Sequence, residues 1–577
     1  MLGGEVFEFL QLTQKQHNII TETSDSESQS CFSSRTMAFS TKGQETGVVE
    51  LGPLENNGAA RHLSDSRDRN ELARLGKKPV LKRNFGFMSI LGFSCTVLIT
   101  WEGSLILFLS GLQNGGPAGI VYGFLLIWVG NLSVFSTLSE LVSMAPTSGG
   151  QYHWVSMLAP PSCSKFLSYI TGWLTVGGWQ GAVASGGYLT GTLIQGLIAL
   201  TVPSYEPKAW QGTLLYWSVI FFAVFINAIV SSLLPKFEGL ILVLHILGFF
   251  VILIPLIILA PHDTAENVFT VWLNGGGWPT QGVSFFVGLI GNVFAFVGAD
   301  GAFHMSEEIR NPSIVVPRSI MLSVVINGSL GFAMVVALLF CIGNVDNVLG
   351  TNTGYPFMEI FLQATQSVSG AATMASIVTI LALCATVGIL ASTSRMFWAF
   401  ARDRGLPGWR TLQQVNPSTT IPLWSIAITT IVSCLLALIN IGSATAFNNI
   451  ISLSVAGLYT SYLICAVLLL YRRTTGGFQE VSSNNSDRPI IVNTAGAQLI
   501  WGPWHIPGLF GILNNTFAIV YLTIILFFSF WPPVIPVTAA TMNYSSLVTG
   551  SVMIFSVLYY LVRGRHEWKG PIIEVHL

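Results

Sequence analysis

Two carboxylates stand inside apolar stretches of this chain. Thr100-Trp101-Glu102-Gly103-Ser104 interrupts the stretch 85–112, and Phe296-Val297-Gly298-Ala299-Asp300-Gly301 interrupts 284–303. A charged side chain at the centre of a bilayer costs about 2.5–3.5 kcal/mol on insertion scales, and glycine beside it weakens the helix. Both are tolerated where a helix unwinds to line a protein-enclosed cavity. An unwound helix exposes N–H groups suited to a carboxylate and carbonyls suited to a cation. The chemistry implied is non-covalent capture of a zwitterion or an organic cation, with a titratable group at hand. His245, within the apolar stretch 239–260, is a second such group because imidazole titrates near physiological pH; a neutral histidine bonded to a neighbouring helix is the competing reading. Asp300 also has two readings, since it lies close to Glu307, Glu308 and Arg310 and could belong to a gate instead of touching substrate.

The elements that must hold these residues follow from composition. Of 577 residues only 9% are charged and 51% are hydrophobic, with a mean hydropathy of +0.63. A soluble protein carries roughly 25% charged residues, so a soluble multidomain enzyme is excluded. The net charge of -1 provides no basic field for nucleic acid. Seven scattered cysteines form neither a disulfide framework nor a metal site, and no cofactor is expected. A membrane-crossing helix needs about 20 apolar residues. Stretches of that kind lie at 85–112, 119–139, 166–200, 212–234, 239–260, 284–303, 319–343, 371–397, 421–442, 446–471, 508–530 and 546–562, here numbered helices 1 to 12. The fold class is therefore an all-α polytopic membrane protein. Residues 1–84 are polar and read as a disordered tail without a signal peptide, 472–507 as a loop and 564–577 as a second tail.

Basic residues orient this arrangement. Twelve spans place both termini on one side, and 25 of the 26 Lys and Arg fall on that side, Lys208 being the exception. The positive-inside rule makes that side cytoplasmic. Asn543-Tyr544-Ser545 is a glycosylation triplet on the opposite side, in a short loop.

The broken helices are five apart, as expected of an inverted-repeat transporter. Three motifs in order add a specific likeness. They are Ser139-Glu140-Leu141 with Pro146-Thr147-Ser148-Gly149-Gly150-Gln151-Tyr152-His153-Trp154; Ser306-Glu307-Glu308 through Asn311-Pro312 to Val316-Pro317-Arg318; and Ala401-Arg402-Asp403-Arg404-Gly405-Leu406-Pro407. Over about residues 80–563 the chain resembles the amino acid–polyamine–organocation superfamily, specifically the fungal amino acid, choline and γ-aminobutyrate permeases. The resemblance implies a core of two inverted five-helix repeats (residues 85–471), with helices 11 and 12 appended and alternating access around a site between helices 1, 3, 6, 8 and 10. It places substrate contacts at Thr100, Trp101, Glu102 and Gly103 on helix 1 and at Phe294, Phe296, Gly298 and Asp300 on helix 6, with Phe294 or Phe296 as an aromatic lid. Trp101-Glu102 looks more like the choline-type branch than the γ-aminobutyrate branch.

The family mostly couples uptake to protons. Glu102, Asp300, Glu140 and His245 are the titratable candidates, and a proton is expected in preference to a Na⁺ held by Ser392 and Thr393. Glu307, Glu308, Arg310, Arg318, Arg395 and Arg402 are expected to form an inner gate. The expected protein is a permease for a small amino acid or amine, in a lipid bilayer, at the plasma membrane. A nutrient sensor on the same fold and an integral membrane enzyme are the rival readings.

Overall fold

The computed structural model of the protein describes residues 66–442, 444–479, 490–539 and 541–575. The expected tail through residue 65 lies outside the described residues. Among those described, 11 helices are long and apolar enough to cross a membrane. The twelfth expected span, helix 6, is cut into Gln281–Gly288, Ile290–Phe294 and Gly301–His304. The others are helix 1 (Phe87–Leu98 and Thr100–Ile106), helix 2 (through Met144), helix 3 (Ser164–Thr201), helix 4 (Ala209–Ala228), helix 5 (Leu234–Leu259), helix 7 (Pro312–Phe340), helix 8 (Val368–Arg402), helix 9 (Leu423–Gly442), helix 10 (Ala444–Thr474), helix 11 (Gly508–Ser529) and helix 12 (from Ser545). Gly116, at φ 69°, turns the chain between helices 1 and 2, with Pro117 opening the second. Helix 3 has 38 residues, about 57 Å at 1.5 Å per residue, which explains why its apolar stretch exceeds one span.

Polarity is distributed inside out. Phe221, Ile229, Leu240, Ile258, Phe510 and Leu547 point outward, whereas Asn131, Gln151, Asn227, Asn327 and Glu238 are buried. Lipid tails solvate the first set, and buried polar groups find partners only inside the bundle. Asn131 thus ties helix 2 to Tyr521 at 3.0 Å and Tyr459 at 3.0 Å. Helix 2 packs on helix 7, helix 3 on helix 8 and helix 4 on helix 9. Helices five apart cross the membrane in opposite directions, so these contacts join corresponding elements of two inverted repeats.

Two expectations need correction. The first concerns the tail: residues 66–74 are helical, and 66–84 pack firmly against the body. Asn84 and Phe85 donate their backbone N–H to Glu308 O at 2.9 and 3.1 Å, and Asp68 accepts from Asn311 N at 3.1 Å. Polar composition suggested disorder, but the partners of this segment lie more than two hundred residues away. The second concerns helix 1, which breaks at Ile99 (φ 43°) and not within Thr100-Trp101-Glu102-Gly103-Ser104. A β-branched residue in the left-handed region costs about 1–3 kcal/mol. Asn327 of helix 7 holds the bend, its Oδ1 accepting from Thr100 N at 3.3 Å.

Candidate substrate cavity and coupling site

The two breaks meet. Gly298, at φ 107°, lies against Val97, where an added Cβ would come within 3.2 Å of its side chain. Gly103 faces Ala295 in the same way, its Cβ position 3.4 Å from Ala295 Cα. Only glycine takes the Gly298 conformation without strain and admits so close an approach. Between the breaks lies a cavity of about 60 Å³, lined by helix 1 (Val97, Ile99, Gly103), helix 3 (Trp179), helix 6 (Phe294, Gly298) and helix 8 (Thr386, Ile389). It has room for about two water molecules, so an organic amine enters only when the walls move apart. Among the described residues no charged side chain lines it, and Trp179 and Phe294 are the aromatic rings on its wall.

The expected substrate residues divide sharply. Gly103, Phe294 and Gly298 line the cavity. Phe296 does not; its ring packs on Phe124 of helix 2 at 5.3 Å. Thr100, Trp101 and Glu102 are fully buried but turn away from the lining. Trp101 packs against His245 and Phe249 of helix 5, at 5.8 and 6.0 Å between ring centroids. Glu102 Oε1 lies 2.7 Å from His245 Nδ1. Two separately chosen candidates are therefore one hydrogen-bonded pair, and Glu102 Oε2 and His245 Nε2 have no protein partner.

Asp300 lies behind the cavity, and Trp179 separates it from the open space. The Trp179 indole lines the cavity while its Nε1–H points to Asp300 Oδ2 at 3.3 Å. Gln151 donates to the same oxygen at 2.9 Å, and His304 Nε2 is 3.7 Å away. From there to the end that carries both described termini the path is filled with ion pairs. Arg402 grips both oxygens of Glu307 at 2.8 and 3.0 Å, Arg395 binds Glu308 at 2.7 Å, and Lys77 pairs with Asp403. Burial alone would raise the Glu307 carboxyl, but Arg402 outweighs it and holds the group below its ordinary value. Asp403 is held down in the same way, burial being outweighed by Lys77 and Arg402. Of the expected gate residues, Glu307, Glu308, Arg395 and Arg402 come together. Arg310 and Arg318 are exposed and take no part; Arg310 is held through its backbone N–H to Phe85 O at 3.1 Å.

Other candidates have structural work. Glu140 pairs with Arg473 and accepts from Ile506 N at 2.6 Å. Ser392 and Thr393 donate to Gly301 O and Trp179 O at 3.1 and 3.3 Å, joining helix 8 to helices 6 and 3. Asn543 spends its amide on Ser529 O and Trp531 O at 2.8 and 3.0 Å.

One residue the sequence reading missed is Glu238. It is fully buried near the start of helix 5, with no ion-pair partner among the described residues and only the Thr96 side chain of helix 1 interacting with its carboxylate. Its backbone carbonyl lies where a Cβ on Gly92 would stand, at 2.4 Å, so glycine permits this contact between helices 1 and 5. Neighbouring Lys236 made the stretch read as a loop. The available signal was the spacing to His245, seven residues or two turns along one face.

The broken helices, the central cavity and the lipid-facing surface define a polytopic α-helical transporter. Residues 85–554 match the amino acid permease family, and the chain belongs to it; it is a permease, not an enzyme. A choline transporter of Saccharomyces cerevisiae is 31% identical over 90% of this chain and 90% of its own length. Amino-acid permease BAT1 of Arabidopsis thaliana is 27% identical over 87% and 96%. Amino-acid permease 2 of Neurospora crassa is 26% identical over 91% and 93%. The protein is thus a multi-pass membrane transporter of an amino acid or amine.

Proposed function

We propose that the protein is a proton-coupled importer of an organic amine, with a choline-like cation favoured over a zwitterion. In this reading it works by alternating access at the plasma membrane, with both termini in the cytoplasm as the distribution of basic residues requires. The observation that carries the substrate assignment is the uncharged cavity with aromatic faces from Trp179 and Phe294. A quaternary ammonium is well held by such faces and by carbonyl dipoles. An amino-acid carboxylate would need free donors, and the Thr100 N–H, at the start of the second half of helix 1, is already taken by Asn327. The likeness to the choline transporter favours the cation, while the likeness to amino-acid permeases supports γ-aminobutyrate or a neutral amino acid as the second reading.

Coupling falls to the Glu102–His245 pair. Its hydrogen bond contains one proton, and a second would reside on Glu102 Oε2 or His245 Nε2, neither of which has a protein partner. That proton changes the charge of a pair standing three residues from the Ile99 bend, so it biases the angle between the two halves of helix 1. One charge moved through 100 mV is worth about 2.3 kcal/mol, or roughly fifty-fold accumulation.

Reconstituted protein given an inward proton gradient, with radiolabelled choline, γ-aminobutyrate, a polyamine and neutral amino acids in turn, tests both halves. Choline is expected to accumulate and to leak away when a protonophore is added. Accumulation indifferent to the protonophore would overturn the coupling. Preference for a zwitterion would overturn the cation assignment, and no accumulation of any of them would favour the nutrient-sensor alternative.

A further inference from the structure

Far from the central cavity, at the end that carries both described termini, a second cavity of about 710 Å³ opens where helices 3, 10 and 12 converge. Lys165 at the start of helix 3, Arg472 near the end of helix 10 and Lys569 just past helix 12 line it together with residues 495–499, and among the described residues no Asp or Glu does. Ser164 opens helix 3 at its rim, and the buried Ser156 hydroxyl on its wall has no hydrogen-bond partner. None of the three cations has a carboxylate within ion-pairing distance among the described residues. Arg472 is instead aimed by Leu158 O and Ala159 O, the latter at 3.2 Å. Lys165 and Lys569 are exposed and Arg472 is half-buried, so solvent screens part of their mutual repulsion, and an anion bound among them relieves the rest. The volume is far larger than a halide needs, and the donors are a guanidinium, two ammoniums and a hydroxyl, a set that suits phosphate oxygens.

We propose that this cavity binds a phosphate-bearing anion of headgroup size, either the headgroup of an inner-leaflet phospholipid or a soluble phosphate ester. Its placement in the inner leaflet rests on the orientation proposed above; the charge argument does not. Basic pockets between helices on the cytoplasmic side commonly take such headgroups. Bound there, the anion ties the segment after helix 12 to helices 3 and 10. That segment also covers the ion-pair gate: Trp568 is buried with its Nε1–H on Lys165 O at 3.0 Å, and Ile572 N donates to Asp403 Oδ1 at 2.8 Å. Occupancy therefore stabilises the closed gate.

The test uses the full chain in nanodiscs. One arm compares thermal stability in phosphatidylcholine alone with phosphatidylcholine containing a phosphatidylinositol phosphate. The other adds soluble inositol trisphosphate to discs of phosphatidylcholine. Protection is expected from at least one ligand, with the lipid arm or the soluble arm identifying the source. The double variant Lys165→Ala/Lys569→Ala is expected to need roughly tenfold or more ligand for the same protection. Lys165→Arg/Lys569→Arg and the exposed control Arg318→Ala are expected to match the unaltered chain. Protection by neither ligand overturns the proposal, and so does equal protection of the double alanine variant. Substrate uptake measured on the same preparations is a separate readout, so its failure is distinguishable from failure of the anion site.

Discussion

The central cavity and the seam between helices 1 and 5 are served by the same seven-residue half-helix, Thr100–Ile106, yet they are chemically opposite. One flank of it presents Gly103 and Ile106 to a space without a single charge. The other presents Trp101 and Glu102 to helix 5, where Glu102 meets His245 and the buried Glu238 lies two turns from that histidine. The cavity has space and no titratable group; the seam has titratable groups, and Glu102, His245 and Glu238 do not line that space. In the function we propose, substrate recognition and proton handling are thereby separated by less than half a turn of helix. The bend at Ile99 tilts one half of helix 1 against the other, and in the proposed function it would link the two.

The strongest way to break this contrast is Glu102→Gln. Removing the carboxylate is expected to abolish proton-driven accumulation, about tenfold or more, while leaving equilibrium binding of substrate within about twofold. The comparison of uptake with binding by isothermal titration checks it. A collapse of binding would place Glu102 in the substrate site after all. Trp179→Leu and Phe294→Leu act on the other side of the contrast. Loss of an aromatic face from a desolvated ammonium is worth about 2 kcal/mol, so KM is expected to rise roughly tenfold or more with an unchanged pH profile. A shifted profile would show that the two regions are not separate.

Glu238→Gln should have a smaller effect. It removes a buried carboxylate that has no ion-pair partner among the described residues and keeps an oxygen for Thr96, so the protein is expected to fold and bind substrate normally. The pH profile of uptake is expected to change and the accumulation ratio to fall several-fold. An unaltered profile would leave the seam with the Glu102–His245 pair alone.

Much of this was legible in the residues. Scarcity of charge exposed the spans, and two carboxylates beside glycines marked the helices that break. What could not be read was the face each residue takes. Adjacent residues on a helix are about 100° apart, so Glu102 and Gly103, neighbours in sequence, serve different regions. Nothing in the span of Trp179 itself shows that its ring borders the cavity while its N–H is held by Asp300 from another helix. Composition also misjudged residues 66–84. Their polarity is spent on contacts with the body, through Lys77 on Asp403 and Asp68 on Asn311.

The smallest expected effect concerns pH at the gate. Glu307 and Asp403 lie below their ordinary values of 4.5 and 3.8 because Arg402 and Lys77 more than offset their burial. A carboxylate whose value is depressed in the closed gate stabilises closure fully above its ordinary value, and that stability is lost only as pH falls through the depressed one. Between about pH 5 and pH 8 these pairs therefore contribute a constant amount. Accessibility of a cysteine reporter placed at Ser148, beside Glu307, is expected to stay flat over that range without substrate, and to rise only in stronger acid. Uptake over the same range is expected to vary with pH, because the seam and not the gate takes up the coupled proton. A reporter that opened near neutral pH, in step with uptake, would move the pH sensitivity from the helix 1–helix 5 seam to the ion pairs.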